Sequence, residues 1–331
     1  MRTILADPML RLLVLAVLLA ALLPIPETQA RTAQQIANVG IFTLFLLNGM
    51  RVSRSEIGRG LLNWRFILPL VFWVFGAMAL IGLGLSKLVA LGAPVLVATG
   101  FLYLGVLPST VQSATSYTTL ADGNVGLAVI SAALLNILGV FVSVPIFLLL
   151  GGVGEGVIGL DTIERIALIL LLPFVLGQIA QGWTQGWVTR HKARVVWLDR
   201  LVIALAVYVA FSGAVEQGIW GALDPAAWTI LAMGVALFLT LGTGGAWGAC
   251  AMLGLPFRDR IAFLFAGSQK SAAVGVPLAT ILFAPGDAGF VVLPLLLYHF
   301  AQLVLAAPLA SRLSSHPLQD DAGYTVPTTR S

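Results

Sequence analysis

Long apolar stretches follow one another along almost the whole of this chain, and that succession limits its folds more than any other feature. A helix needs about 20 mostly apolar residues to cross the hydrocarbon core of a bilayer. Ten stretches approach or exceed this length: 8–25, 34–50, 64–89, 93–120 and 123–151, then 161–187, 197–217, 226–254, 258–284 and 286–313. The polar connections between them are too short to hold a soluble domain. Only 10% of the 331 residues are charged, against about 25% in an ordinary soluble domain. Such a chain cannot cover its own surface with polar groups. That excludes a soluble enzyme, a nucleic-acid-binding domain and a disordered protein. Cys250 is the only cysteine, which rules out an intrachain disulfide framework. The expected fold is an all-α polytopic membrane protein, one integral-membrane domain over 1–331 with the lipid bilayer as its surroundings.

Lysine and arginine set the orientation, because they concentrate on the cytoplasmic side. With the N-terminus inside, one set of loops holds Arg51, Arg54 and Arg59, then Arg190, Lys192, Arg194 and Arg200, then Arg258 and Arg260. The opposite set holds Glu27, Glu155, Asp161, Glu216, Asp224 and Asp287, with Arg31, Lys87 and Arg165 as its cations. An even number of spans returns both termini to the cytoplasm, and the expected location is the cell inner (plasma) membrane. Scattered in this way, the net charge of +4 does not form a nucleic-acid surface. The first stretch reads as a retained helix that exits at Pro24 and Pro26, rather than a cleaved signal. Residues 314–331, with their Pro, Asp, Thr and Ser, read as a disordered cytoplasmic tail.

Two of the stretches are interrupted. The fourth contains Pro108 followed by Ser109, Thr110, Gln112, Ser113, Thr115 and Ser116. The ninth contains Gly267, Ser268, Gln269, Lys270 and Ser271, then Gly275 and Pro277. Each is fourth of five in its half. Five spans per half give the halves opposite orientation, with repeat one at about 8–151 and repeat two at about 161–313. Breaking a helix in hydrocarbon frees backbone groups at several kcal/mol each unless protein, water or ligand satisfies them. Interrupted helices at matching places in two inverted halves therefore point to a secondary-transporter site.

These segments resemble the bile acid:sodium symporter family, in its bacterial SBF-like branch. The resemblance rests on Leu107-Pro108-Ser109-Thr110-Val111-Gln112-Ser113, on Gly123-Asn124-Val125, on Gly267-Ser268-Gln269-Lys270-Ser271 with Gly275-Val276-Pro277, and on Leu293-Pro294-Leu295 with His299 and Gln302. It covers Asp7 to Arg312. It implies ten transmembrane helices in two inverted five-helix repeats, with broken helices 4 and 9 crossing at mid-membrane. It also implies symport-like transport of a small or amphipathic organic anion by alternating access. Sodium-coupled members carry a glutamate and an asparagine at the ninth-helix break, where this chain has Phe265 and Lys270, while Gly267 and Gln269 are kept. On the fifth helix, Ser131 and Asn136 stand where those members supply hydroxyls. Sodium coupling by that route is thus missing its carboxylate, and none of the fourteen acidic residues lies deep within a span.

The candidate binding residues are Ser109, Thr110, Gln112, Ser113, Thr115, Ser131, Asn136, Ser268, Gln269, Lys270, Ser271 and His299. Tyr117 and Tyr298 are expected to pack beside them, and Asn48 to cap the second helix. Lys270 is the most informative, because a lysine at mid-bilayer costs about 3 kcal/mol on insertion scales. Three functional readings stay open: a stand-in for a coupling cation, a proton carrier, or a direct partner of the substrate anion. A fourth reading makes it a fixed tie. No catalytic set or cofactor is expected, and sodium or a proton is the candidate coupling ion. The alternatives to a carrier are a non-transporting regulatory protein on the same scaffold and a cation/proton antiporter.

Overall fold

The computed structural model describes residues 8–51, 58, 62–152 and 164–315. Their regular structure is entirely helical, with no strand among the described residues. The first half comprises α1 (Pro8–Leu22), α2 (Glu27–Arg51), α3 (Trp64–Val89), α4 (Val95–Val106), α5 (Val111–Leu120) and α6 (Val125–Leu149). The second comprises α7 (Glu164–Arg190), α8 (Lys192–Glu216), α9 (Pro225–Met252), α10 (Phe257–Ser268), α11 (Ala272–Leu282) and α12 (Pro285–Ser314). Seven segments are long and apolar enough to cross a membrane, namely α3, α6, α7, α8, α9, α10 with α11, and α12. The pair α4 and α5, bent by 62°, makes an eighth. The chain is a multi-pass membrane protein.

The two remaining expected stretches fall on α1 and α2. α1 is apolar but has 15 residues, short of the about 20 that a perpendicular crossing needs. α2 begins at Glu27, before the apolar stretch that starts at 34. Hydropathy misplaces this start, because helix entry is set locally: Pro24 and Pro26 precede it, and the acidic Glu27 favours a first turn. Polar residues taken for a connection are therefore helical. Gln34 is buried among them and donates to the Thr280 carbonyl of α11 at 3.3 Å. Elsewhere the boundaries follow ordinary capping chemistry. Asp224 accepts the Ala227 N–H at 2.7 Å ahead of Pro225, and Asn124 accepts the Leu127 N–H at 3.0 Å. The expected turn at Asp122-Gly123-Asn124 joins α5 to α6, with Asp122 at φ 55°. Ser314 closes α12 instead of opening a tail. The remainder of that tail, from 316, and Arg54, Arg59, Glu155 and Asp161 lie outside the described residues.

Packing is closest where small residues let backbones meet, as expected where lipid offers no hydrophobic drive for helix association. α2 runs along α7, and Gly49 and Gly177 face each other across that contact. A Cβ on Gly177 would lie 2.2 Å from the Leu46 carbonyl oxygen, and one on Gly49 would lie 2.2 Å from that of Phe174. α3 and α4 approach in the same way at Gly82 and Gly105. α1 packs on α8, α9 on α10, and α12 on both α4 and α8. The segment α10–α11 is the most enclosed of the membrane-length helices.

Gly177→Ala should lower the thermal unfolding midpoint in detergent, since overpacking costs about 1–3 kcal/mol. Gly244→Ala, where an added Cβ meets nothing within 4 Å, should be neutral or stabilise by up to about 1 kcal/mol. Equal midpoints for the two variants would contradict the close contact of α2 and α7.

Candidate functional site

The two breaks lie side by side. α4 ends at Val106, Leu107 to Thr110 are non-helical, and α5 starts at Val111. α10 ends at Ser268, Gln269 to Ser271 are non-helical, and α11 starts at Ala272. The breaks bond directly, the Ser271 N–H donating to the Pro108 carbonyl at 3.0 Å. Pro108 accounts for the first break, because proline has no N–H to continue the ladder and pushes Leu107 to an extended conformation. Gln112, Ser113 and Thr115, expected with the break, instead belong to the first turns of α5.

Each carbonyl from Gly105 to Ser109 has a named donor. Gly105 and Leu107 accept from Lys270 Nζ, both at 2.8 Å. Val106 accepts from Ser143 Oγ at 2.8 Å, Pro108 from the Ser271 N–H, and Ser109 from Asn136 Nδ2 at 2.8 Å. The second break is closed by other side chains. The Tyr298 hydroxyl donates to the Ser268 carbonyl. Gln302 accepts the Lys270 N–H at 2.8 Å and donates to the Lys270 carbonyl at 3.1 Å. With its oxygen committed to that N–H, Gln302 Nε2 also faces His299 Nδ1 at 2.9 Å, so the imidazole Nδ1 is an acceptor. Ser113 donates to Gln269 Oε1, tying α5 to the second break.

Lys270 is fully buried, and its third ammonium contact is the Val74 carbonyl of α3, at 3.1 Å. Val74 lies in a π-helical turn, Trp73–Ala77, within α3. Such turns displace carbonyls from the regular ladder. Carbonyls of α3 and of the broken fourth helix thus hold the ammonium.

A cavity of about 520 Å³ lies on the other side of the breaks. Thr110, Val111, Gln112 and Ser113 at the start of α5 and Ser271 to Val274 at the start of α11 line it. Both half-helix N-termini thus face one space, and Thr110 supplies no side-chain cap to the first-turn N–H groups of α5. Asn136, Ser116, Tyr117 and His299 also line the cavity, and its walls include Leu44, Phe45, Ile137 and Phe174. It extends to the end of α2 and the start of α8, where Arg51, Lys192, Arg200 and Asp199 line it. Arg51 and Asp199 form an ion pair there. Asn48 lies inside α2 and accepts from Arg51 at 3.4 Å, so it orders this cluster rather than capping the helix.

Of the candidate residues, Thr110, Gln112, Ser113, Asn136, Ser271 and His299 share the cavity. Ser131 and Ser268 are buried and bond carbonyls of their own helices, Leu127 at 2.7 Å and Leu264 at 2.7 Å. Ser109 Oγ, Thr115 Oγ1 and Gln269 Nε2 are buried without a hydrogen-bond partner. Lys270 does not line the cavity. Residues beyond the candidate set are Gln302, Val74 and the cluster Arg51, Lys192, Asp199 and Arg200. Only Gln302, among the motif residues, carried a sequence signal.

A family model described as the SBF-like CPA transporter family matches residues 7–315. Uncharacterized protein PA2026 of Pseudomonas aeruginosa is 39% identical over 315 residues, covering 95% of this chain and 94% of the relative. YfeH of Escherichia coli is 34% identical over 306 residues, covering 92% of each. Sodium/bile acid cotransporter 7 of Mus musculus is 23% identical over 300 residues, covering 88% of this chain and 86% of the relative.

Gln302→Leu removes the bonds to both the N–H and the C=O of Lys270. Buried polar groups left without partners cost about 1–3 kcal/mol each. The unfolding midpoint in detergent should therefore fall, and an unchanged midpoint would show that Gln302 does not carry the second break.

Proposed function

The chain belongs to the SBF-like CPA transporter family, and from that membership we propose that it is a secondary carrier of an organic anion, working by alternating access. The observation that carries this reading is the pair of half-helix N-termini, α5 and α11, that face one cavity. Each helix N-terminus is equivalent to roughly +0.5 of an elementary charge. Two of them suit a carboxylate or sulfate; the first turn of α5 has no side-chain cap, while in α11 Ser271 Oγ accepts the Val274 N–H at 3.3 Å. The apolar walls between those termini and the Arg51–Arg200 cluster suit a hydrocarbon body, so a small or amphipathic anion fits best. Thr110, Gln112, Ser113, Asn136, Ser271 and His299 are among the side chains in reach of it.

Alternating access rests on ten spans in two inverted repeats, with α1 and α2 counted as spans and each broken pair as one. The packing supports this arrangement, because several of its contacts come in reciprocal pairs, while α8 on α12 has no comparably extensive counterpart between α2 and α6. α2 on α7 is matched by α1 on α8, α3 on α4 by α9 on α10, and α5 on α6 by α11 on α12. The cavity's charged end carries Arg51, Lys192 and Arg200, and lysine and arginine concentrate on the cytoplasmic side. The cavity therefore opens to the cytoplasm, with both termini on that side of the inner membrane.

Purified protein reconstituted on a solid-supported membrane should give currents on jumps of some member of a panel of organic carboxylates and sulfates. Sodium jumps and pH jumps applied separately identify any coupling ion. Ala133 lines the cavity, and Ala133→Phe should cut the anion response at least tenfold, equivalent to about 1.4 kcal/mol, while the protein remains folded. A panel without any response, or an unaffected Ala133→Phe variant, would overturn the reading.

A further inference from the structure

We propose that the ammonium of Lys270 is a permanently resident cation: it fills a backbone cation site at the helix crossing, so the carrier works without a cation travelling beside its substrate. The inference deepens the anion-carrier reading, but the geometry that carries it stands apart from substrate. Three carbonyl oxygens converge on Nζ, those of Gly105 and Leu107 at 2.8 Å and that of Val74 at 3.1 Å. An ammonium has three N–H donors and no acceptor, so every donor is used. The oxygens come from the end of α4, the segment after it and the π-turn of α3, and the lysine comes from the break between α10 and α11. Three carbonyl oxygens gathered from separate elements form a site for a small cation, and the protein's own side chain occupies it.

The surroundings fit an ion that stays. Lys270 is fully buried and lies off the cavity, so neither water nor substrate reaches it by that path. Among the described residues the ion pair joins Arg51 to Asp199, and no carboxylate pairs with Lys270. Its charge is balanced by carbonyl dipoles at the end of α4, where a helix favours cations. The resident charge also ties α3, α4 and the α10–α11 break together, so these elements move as one body. Because the cation never dissociates, its charge returns to its starting place at the end of each cycle.

Chemical rescue tests this. Lys270→Ala removes the last three carbons and the nitrogen of the side chain, and n-propylammonium restores those atoms. The variant should have a lower unfolding midpoint than wild type in detergent. n-Propylammonium chloride should raise that midpoint by at least about 2 °C, while tetramethylammonium chloride, too large for the site, should not. Recovery of folded Lys270→Ala only when n-propylammonium is present from solubilisation onward supports the proposal equally. Lys270→Met, which fills the space without a charge, should be destabilised and should respond to neither salt. Wild type should melt at the same temperature in sodium chloride and choline chloride. Wild-type stability in Lys270→Met, no rescue of a folded Lys270→Ala, or a sodium-specific rise in the wild-type midpoint would each overturn the proposal. None of these readings depends on finding a transported anion, so they separate failure of the resident cation from failure of the carrier reading.

Discussion

Every carbonyl released where α4 breaks has to find a donor inside the protein, and the meeting of the two breaks is organised around that demand. In hydrocarbon an unsatisfied backbone group costs several kcal/mol. Five consecutive carbonyls, Gly105 to Ser109, are met by Lys270, Ser143, the Ser271 backbone and Asn136. Two of these donors come from α6 of the same half and the others from the second break, so the second half of the chain completes what the first leaves open. The arrangement separates two kinds of polar end. The carbonyl ends are occupied by protein, and the N–H ends face a cavity.

This division explains why both breaks persist in so apolar a chain. A break in the fourth stretch alone would leave the Gly105, Leu107 and Pro108 carbonyls bare, and a lysine in the ninth alone would leave a charge without partners. Together they form a set in which the lysine's three donors and three carbonyls are satisfied at once. Buried networks of this kind are favourable only when complete. Completeness matters here at Gln302 as well, which serves both backbone groups of Lys270.

Much of this was legible in the sequence, for physical reasons. The long apolar stretches reported the membrane-length helices, because lipid demands runs of that length. Pro108 with its small polar neighbours, and Lys270 with Gly267, reported both breaks. The sequence misplaced the start of α2, because a hydropathy pattern cannot see that Gln34 finds the Thr280 carbonyl 246 residues away. It held Lys270 to be special but left its direction open, since a side chain at a break can turn to either side. The π-turn at Trp73–Ala77 has no signature in its residues, so Val74 was invisible as a partner. The cavity-lining cluster of Arg51, Lys192, Asp199 and Arg200 was hidden for a similar reason. Its cations read as loop charges, and only the meeting of α2 with α8 brings them to one space.

The order of the halves along the chain has a consequence for biogenesis. Lys270 makes α10–α11 the membrane-length segment least suited to entering lipid by itself, at about 3 kcal/mol for a central lysine. Its ammonium partners, Val74, Gly105 and Leu107, lie 196, 165 and 163 residues earlier. They leave the ribosome first and can already stand in the bilayer when the lysine arrives. The N-terminal half is then a template that receives this segment, and a chain with the halves exchanged would have to insert its lysine before its acceptors existed.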